Sequence, residues 1–257
     1  MRENSEMSVS VVMATYNGMQ YLQKQLQSIL AELQSDDELI IVDDGSQDGT
    51  PEFLSSLTSP NVHIVVNRNN IGVFASFERG LLLSSRDVIF LSDQDDIWLL
   101  GKRSAFVAEF EQDSKVLIVI SDAEIINTQD MVISPSFMNT RRGFDGSVLG
   151  TLFRNRYLGC SMAIRRSILF DALPIPSYVP MHDMWFGVIG YMTGKVVYLS
   201  SPFLQYRRHS GNVTPSRHQS LKRMIHWRIN LLFALCVRIL SRKLQIFYLG
   251  LGRLISK

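Results

Sequence analysis

The first hundred residues alternate between short β-branched runs and helix-periodic stretches, and this rhythm limits the fold more than any other feature. Residues 8–15 (SVSVVMAT), 38–46 (ELIIVDDGS), 61–67 (NVHIVVN) and 87–98 (DVIFLSDQDDIW) read as strands. Between the first two lies a helical pattern of Leu22, Leu26, Ile29, Leu30 and Leu33. A short helix capped by Asp48 or Thr50, with Phe53, Leu54 and Leu57 inward, follows the second strand. A helix at 72–84 with Phe74, Phe77, Leu81 and Leu82 precedes the fourth. Strands that are apolar along their length are buried on both faces. Alternation with helices then implies an α/β fold: a mainly parallel central sheet flanked by helices.

Beyond residue 100 the rhythm loosens. The pattern predicts a helix at 101–112, a strand at 116–121, loop or hairpin over 127–156 and a strand at 160–166. A helix at 182–194, strands at 195–200 and 202–209, and one helix-compatible segment from about Leu221 to Lys257 complete the chain. The chain has 257 residues, 46% hydrophobic and 19% charged, which excludes a disordered or collagen-like protein. Two cysteines, Cys160 and Cys236, exclude a disulfide framework and a four-cysteine zinc site, and suit a reducing compartment. No apolar stretch precedes Val9 and no window reaches 18 uninterrupted apolar residues, so neither a secretory signal nor a transmembrane helix is expected.

The net charge of +2 averages two unlike parts. Residues 1–183 hold all 24 acids and 14 Lys/Arg, a balance of −10; residues 184–257 hold no acid and 12 Lys/Arg, a balance of +12. Much of the acid stands at strand ends. Thr15-Tyr16-Asn17 follows the first strand, Asp43-Asp44 the second, and Asp93-Gln94-Asp95-Asp96 the fourth. Ligands bind outside the carboxyl ends of the strands in such sheets, so the three sets should converge on one rim. Three carboxylates within four residues suit a hard divalent cation, Mn²⁺ or Mg²⁺, whose open positions take substrate phosphates. A solvated acidic turn capping the next helix is the alternative. Tyr16 can stack on a nucleotide base or pack as a half-buried aromatic. Neither a GxGxxG turn nor a GxxxxGK[ST] loop is present, which argues against a dehydrogenase and a P-loop enzyme.

The motifs VSVVMATYNG, IIVDDGSQDGT, Asn70-x-Gly72, FLSDQDDIW and HDMWFG, in this order and spacing, resemble glycosyltransferase family 2. SDQDDIW and the late YRRHSGN are most similar to bacterial rhamnosyltransferase-like members that build surface polysaccharides such as O-antigen or capsule. The resemblance spans roughly residues 7–215. It implies a GT-A fold over 1–215, with a nucleotide-sugar half at about 7–122 and an acceptor half at about 123–215. It also implies inverting, metal-dependent transfer of one sugar to a lipid-linked acceptor. Thr15, Tyr16, Asn17, Asp43, Asp44, Asn70, Gly72 and Asp93 would bind the donor nucleotide, and Asp95, with His209, the metal. Asp183 would be the catalytic base, where an aspartate's ordinary pKa of about 3.9 leaves it ionised. It opens a helix, so a cap is the alternative role. His182 replaces the first member of the family's Glu-Asp pair and, with Trp185, would face the acceptor; Trp185 equally suits the core. The resemblance points first to dTDP-rhamnose, with UDP- and GDP-sugars open. A nucleotidyltransferase and a non-catalytic scaffold of the same fold are the competing readings.

The segment 216–257 reads as a basic helical tail. At 100° per residue, Arg228, Arg238, Arg242, Lys243, Arg253 and Lys257 share an arc with Leu231, Leu235 and Ile246. An anionic membrane surface is the expected partner, placing the protein on the inner face of the bacterial cytoplasmic membrane. Packing on the domain or on another subunit is the alternative. Nucleic acid is not expected, because no recognised binding module accompanies the charge.

Overall fold

The structure, a computed structural model, describes residues 6–209 and 220–255. Its first half follows the expected alternation: β1 (Val9–Thr15), α1 (Met19–Leu30), β2 (Glu38–Asp43), α2 (Thr50–Ser55), β3 (Val62–Val66), α3 (Val73–Leu83) and β4 (Val88–Ser92). β1 pairs in parallel with β2 and β4, and β2 in parallel with β3. Thr15 lies opposite Asp43, and Met13 opposite Ser92, so the polar ends of β1, β2 and β4 emerge along one edge.

The second half is less regular. It comprises β5 (Ile97–Trp98), α4 (Lys102–Gln112), β6 (Val116–Ile126), β7 (Val132–Ser134), α5 (Phe137–Thr140) and α6 (Val148–Phe153). β8 (Met162–Arg165), α7 (Leu169–Ala172), α8 (His182–Thr193), β9 (Lys195–Arg207) and α9 (Leu221–Ile255) follow. The sheet runs β3-β2-β1-β4-β8-β6-β9-β5, with β7 on β6. β8 is antiparallel to both of its neighbours, β4 and β6, so the sheet is mixed. The two strands expected at 195–200 and 202–209 are one strand. Its ladder with β6 shifts register where Pro202, with no N–H to donate, meets Asp122.

Two apolar layers sandwich the sheet. One gathers Leu22, Leu26 and Ile29 of α1 with Phe106, Val107 and Phe110 of α4. The other gathers Phe77 and Leu81 of α3, Phe186 and Val188 of α8, and Leu231, Ala234 and Leu235 of α9. Leu30 and Leu82, expected inward, are exposed. Each directly follows a buried residue, Ile29 or Leu81, and one step of a helix turns the side chain by about 100°.

Helix α9 turns part of the basic arc onto the domain, as the alternative reading of the tail expects. The arc of Arg228, Arg238 and Arg242 faces the domain. Arg228 donates to the carbonyls of Leu152 and Phe153. Arg238 donates to those of Leu173 and Pro174 and lies 5.4 Å from the Trp185 ring. Arg242 pairs with Asp171. Leu231 and Leu235 were in the same arc because that arc is the buried face. The outward face carries exposed Ile225, Ile229, Leu232, Phe233, Val237 and Leu240, with exposed Lys222, Arg223 and His226 at the start of the helix. Lys257 and the side chains of Lys243, Ile246 and Arg253 lie outside the described residues. Lys222–Arg242 is long and apolar enough to cross a membrane by length and composition.

Candidate functional site

The loops after β1, β2 and β4 meet α3, α8 and the end of β9 around a cleft of about 450 Å³. Thr15, Tyr16, Asp44, Asn70, Gly72, Asp93, Asp95, His182 and His209 all line it. Nine of the residues singled out in the sequence therefore share one cavity, although they are spread from the first strand to the last.

Gln94 ties the rim together. Its Oε1 accepts the Thr15 hydroxyl (2.6 Å) and the Tyr16 amide N–H (2.8 Å), and its Nε2 donates to the Tyr16 carbonyl (3.2 Å). A Cβ on residue 18 would lie 2.3 Å from Gln94 Oε1, so glycine at 18 is what lets the loop close on this side chain. Tyr16 is left 43% exposed, its ring free to meet a base. Asp44 holds the far wall by accepting the amides of Ile71 (2.9 Å) and Gly72 (2.8 Å) and the Asn67 side chain (2.8 Å). Burial pushes the Asp44 pKa up, but these hydrogen bonds outweigh it and hold the carboxyl below its ordinary value.

Four of the candidate residues do not line the cleft: Asp183, which follows the cleft-lining His182 in α8, and three that take other places. Asp43 is fully buried and accepts from the Ser46 hydroxyl and amide, closing its own turn. Asn17 binds the loop after β2 through the Gln47 amide and the Ser46 hydroxyl, both at 2.8 Å. Trp185 is wholly buried and donates to the Ala172 carbonyl (2.7 Å). Of its two expected places, the acceptor side and the core, α8 gives it the core.

The acidic turn at the centre is strained electrostatically. Burial, then the charges of Asp95 and Asp183, push Asp93 up to about 7. Burial, then Asp95 and Asp93, raise Asp96 well above a carboxylate's ordinary value. Asp96 Oδ1 accepts the Arg207 amide (2.9 Å), and Oδ2 is buried. Asp95 Oδ2 lies 2.6 Å from His209 Nε2. Oxygens of Asp93 and Asp96 and the Cys160 sulfur lie within 4.8 Å of one another. The carboxylates fit a hard divalent ion. The thiol does not, because burial and the two aspartates raise its pKa and keep it protonated.

Sequence reasoning missed Lys102. It is fully buried, donates to the Cys160 carbonyl (2.8 Å) and sits 4.3 Å from the Trp98 ring. Burial lowers its pKa to about 8 against the pull of Asp96 and Asp93. It is a built-in counter-charge behind the acidic turn. The signal was available: Lys102 stands four residues before Phe106, on the apolar stripe of α4.

Asp183 begins the first turn of α8 beside His182. Its Oδ1 accepts the Met184 amide (2.5 Å) and the Asn155 side chain (3.3 Å). Burial raises its pKa to about 6, opposed by those hydrogen bonds and by Arg141. It is therefore a stronger base than the ordinary aspartate expected from sequence, and still ionised at neutral pH. A Cβ on Gly159 would lie 3.0 Å from His182 Nε2 and 3.4 Å from Asp183 Cβ, so glycine there admits the pair. His182 stacks on Phe77 at 4.5 Å, and burial lowers its pKa to about 4, so it is neutral.

Comparison with known proteins fits this geometry. The family model for "Glycosyl transferase family 2" matches residues 10–171. An uncharacterized glycosyltransferase of Nostoc sp. is 28% identical over 80% of this chain and 66% of its own length. The first curated relatives are longer than this chain, which spans 61–66% of their length. The Escherichia coli UDP-Glc:alpha-D-GlcNAc-diphosphoundecaprenol beta-1,3-glucosyltransferase WfaP is 23% identical over 96% of this chain and 94% of its own. The crystal structure of Staphylococcus aureus TarS residues 1–349 in complex with UDP-GlcNAc superposes with a TM-score of 0.68 at 18% identity. It covers 91% of this chain and 67% of the TarS chain. The fold is GT-A-like.

Proposed function

The chain belongs to glycosyltransferase family 2, and from that premise we propose that it transfers one sugar, with inversion, from a nucleotide-diphospho-sugar to a lipid-linked glycan in bacterial surface-polysaccharide synthesis. The observation that supports this most is the single cleft shared by the β1, β2 and β4 ends, the acidic turn and the start of α8.

Tyr16 stacks on the base, and Thr15, Asn70 and Gly72 line the nucleotide pocket with Asp44, which shapes its wall. Asp93 meets the ribose. Asp43 and Asn17 act from behind by fixing the loops that carry these groups. Asp95 and His209, next to the Asp93 and Asp96 carboxylates, would hold Mn²⁺ or Mg²⁺, which when bound would offset the charge of the leaving diphosphate. Asp183 takes the proton of the acceptor hydroxyl as that oxygen attacks the anomeric carbon. His182, neutral and beside it, faces the acceptor sugar.

The donor is a UDP-, dTDP- or GDP-sugar. TarS was crystallised with UDP-GlcNAc, and WfaP is named for UDP-Glc, so a UDP-sugar now stands beside dTDP-rhamnose. WfaP is also named for a diphosphoundecaprenol acceptor, which suits a protein lying on the inner face of the cytoplasmic membrane. Contact would run through the apolar residues on the outward face of α9, since Arg228, Arg238 and Arg242 are spent on the domain. Spanning would strip Arg228 and Arg238 from their carbonyls, at a cost of several kcal/mol per stranded group.

A thermal-shift and turnover screen of UDP-, dTDP- and GDP-sugars with Mn²⁺ or Mg²⁺ tests the reading. One nucleotide should stabilise the protein in the presence of metal, and its sugar should be transferred. Stabilisation without any transfer would favour a scaffold of the same fold. Release of diphosphate from a nucleoside triphosphate would favour a nucleotidyltransferase.

A further inference from the structure

The acceptor half holds a group of guanidiniums that the proposed chemistry leaves unused. Arg141 lies 5.0 Å from the Phe137 ring, Phe137 meets Tyr206 edge-on at 5.7 Å, and Arg208 donates to the Tyr206 hydroxyl (3.1 Å). Arg154 closes the C-terminus of α6. Arg141, Arg154 and Arg208 are all half-buried, and none makes an ion pair among the described residues. Their neighbour Arg156 does, with Asp145 at 3.5 Å. After burial, the charges of Arg154 and then Arg208 are what depress the Arg141 pKa, while Asp183 acts in the opposite sense. Crowded like charges of this kind are unfavourable until an anion joins them.

The surroundings say which anion. Tyr206 lines the cleft with Asp95 and His182, and Asp183 follows His182 at the start of α8, close enough to Arg141 for the two charges to interact. On its other side, Leu149 and Phe153 of α6 are 70% and 77% exposed. The Phe153 carbonyl accepts from Arg228 of α9, which joins this patch to the outward apolar face of that helix. Exposed hydrocarbon on α6 thus borders Arg154 at the helix end, and Arg141 at the other side of the group acts on the charge of the proposed base.

Resting on the glycosyl-transfer reading above, we propose that Arg141, Arg154 and Arg208 form a subsite for the diphosphate of an amphipathic acceptor. Its lipid would lie along Leu149, Phe153 and α9, and its sugar would reach Asp183. Guanidiniums bind phosphate oxygens by paired, charge-assisted hydrogen bonds. The donor offers a diphosphate too, but the proposed donor site lies toward β1 and β2, with Asp95 and His209 at its phosphate end.

Arg154→Ala tests the subsite, because that side chain makes no hydrogen bond among the described residues and its loss should leave folding intact. Calorimetry on the full chain would use undecyl diphosphate, decyl maltoside as a phosphate-free amphiphile, and UDP with Mn²⁺. The expected result is a loss of about tenfold or more for undecyl diphosphate, with the other two ligands changed by less than about twofold. Arg208→Ala, checked for an unchanged melting temperature, should repeat the pattern. Unchanged undecyl diphosphate affinity in both variants overturns the subsite, and an equal loss for UDP reassigns the cluster to the donor. Failure of the wild type to bind any nucleoside diphosphate would sink the glycosyl-transfer reading instead, while the undecyl diphosphate titration would still decide the cluster.

Discussion

At the strand ends, Asp44, Asp93 and Asp95 stand where the backbone of a parallel sheet puts them. Along α9, Arg228, Arg238 and Arg242 stand where the carbonyls and the carboxylate of the domain receive them. The two regions carry the opposite halves of a divided charge, yet only the first turns these charges into a cleft. A strand end has one exit, so a polar residue there is bound to the rim. A helix has a full circle of faces, and its charged stripe turns to whichever surface offers partners. For Arg228, Arg238 and Arg242 that surface is the protein, and beyond the helix's first turns the outward face is mostly apolar.

The largest effect should come from the rim. Asp183→Asn should lower kcat by about 10²-fold or more, the usual range for a lost general base, with nucleotide affinity retained. Wild-type rates in a transfer assay would remove Asp183 from the base role and leave it a helix cap. The pH profile comes next. A base must be ionised, and burial raises this carboxyl to about 6, so activity should be full near pH 8 and fall as pH drops through 6. At pH 5 about a tenth should remain. A profile flat from pH 5 to 8 would show that this proton does not matter.

The helix gives the smaller, paired effect. Leu232→Asp with Leu240→Asp should reduce sedimentation with vesicles several-fold and leave the fold intact, because both residues are exposed. Arg238→Ala should do the reverse, keeping vesicle binding while lowering stability by about 1–3 kcal/mol through two lost charge-assisted hydrogen bonds. If Arg238→Ala alone released the protein from vesicles, the basic stripe would be facing lipid after all.

Legibility in the sequence follows the same division. β1 to β4 were readable because fully apolar strands and their polar ends need only local pattern. The antiparallel insertion of β8 was not, since Met162–Arg165 is equally apolar in either direction. Asp43 and Asp44 are adjacent and looked equivalent. The pleat sends Asp43 back onto Ser46 and Asp44 forward to the 67–72 loop. Trp185 and His182 share a helix turn, and one faces the core while the other lines the cleft. Lys102 stands on an apolar stripe, and the burial of its charge makes sense only beside Asp93 and Asp96, which sequence spacing does not bring to it. The arginine cluster draws on residues 141, 154 and 208, too distant in the chain for any spacing rule.

The central claim is that the strand-end rim is where a metal and a nucleotide-sugar meet. Calorimetric titration of nucleoside diphosphate into wild type and Asp95→Ala, each with and without Mn²⁺, tests it most directly. Wild type should bind more tightly with the ion, and Asp95→Ala should lose that gain, an effect of about tenfold or more. Equal affinity in all four titrations would contradict the claim.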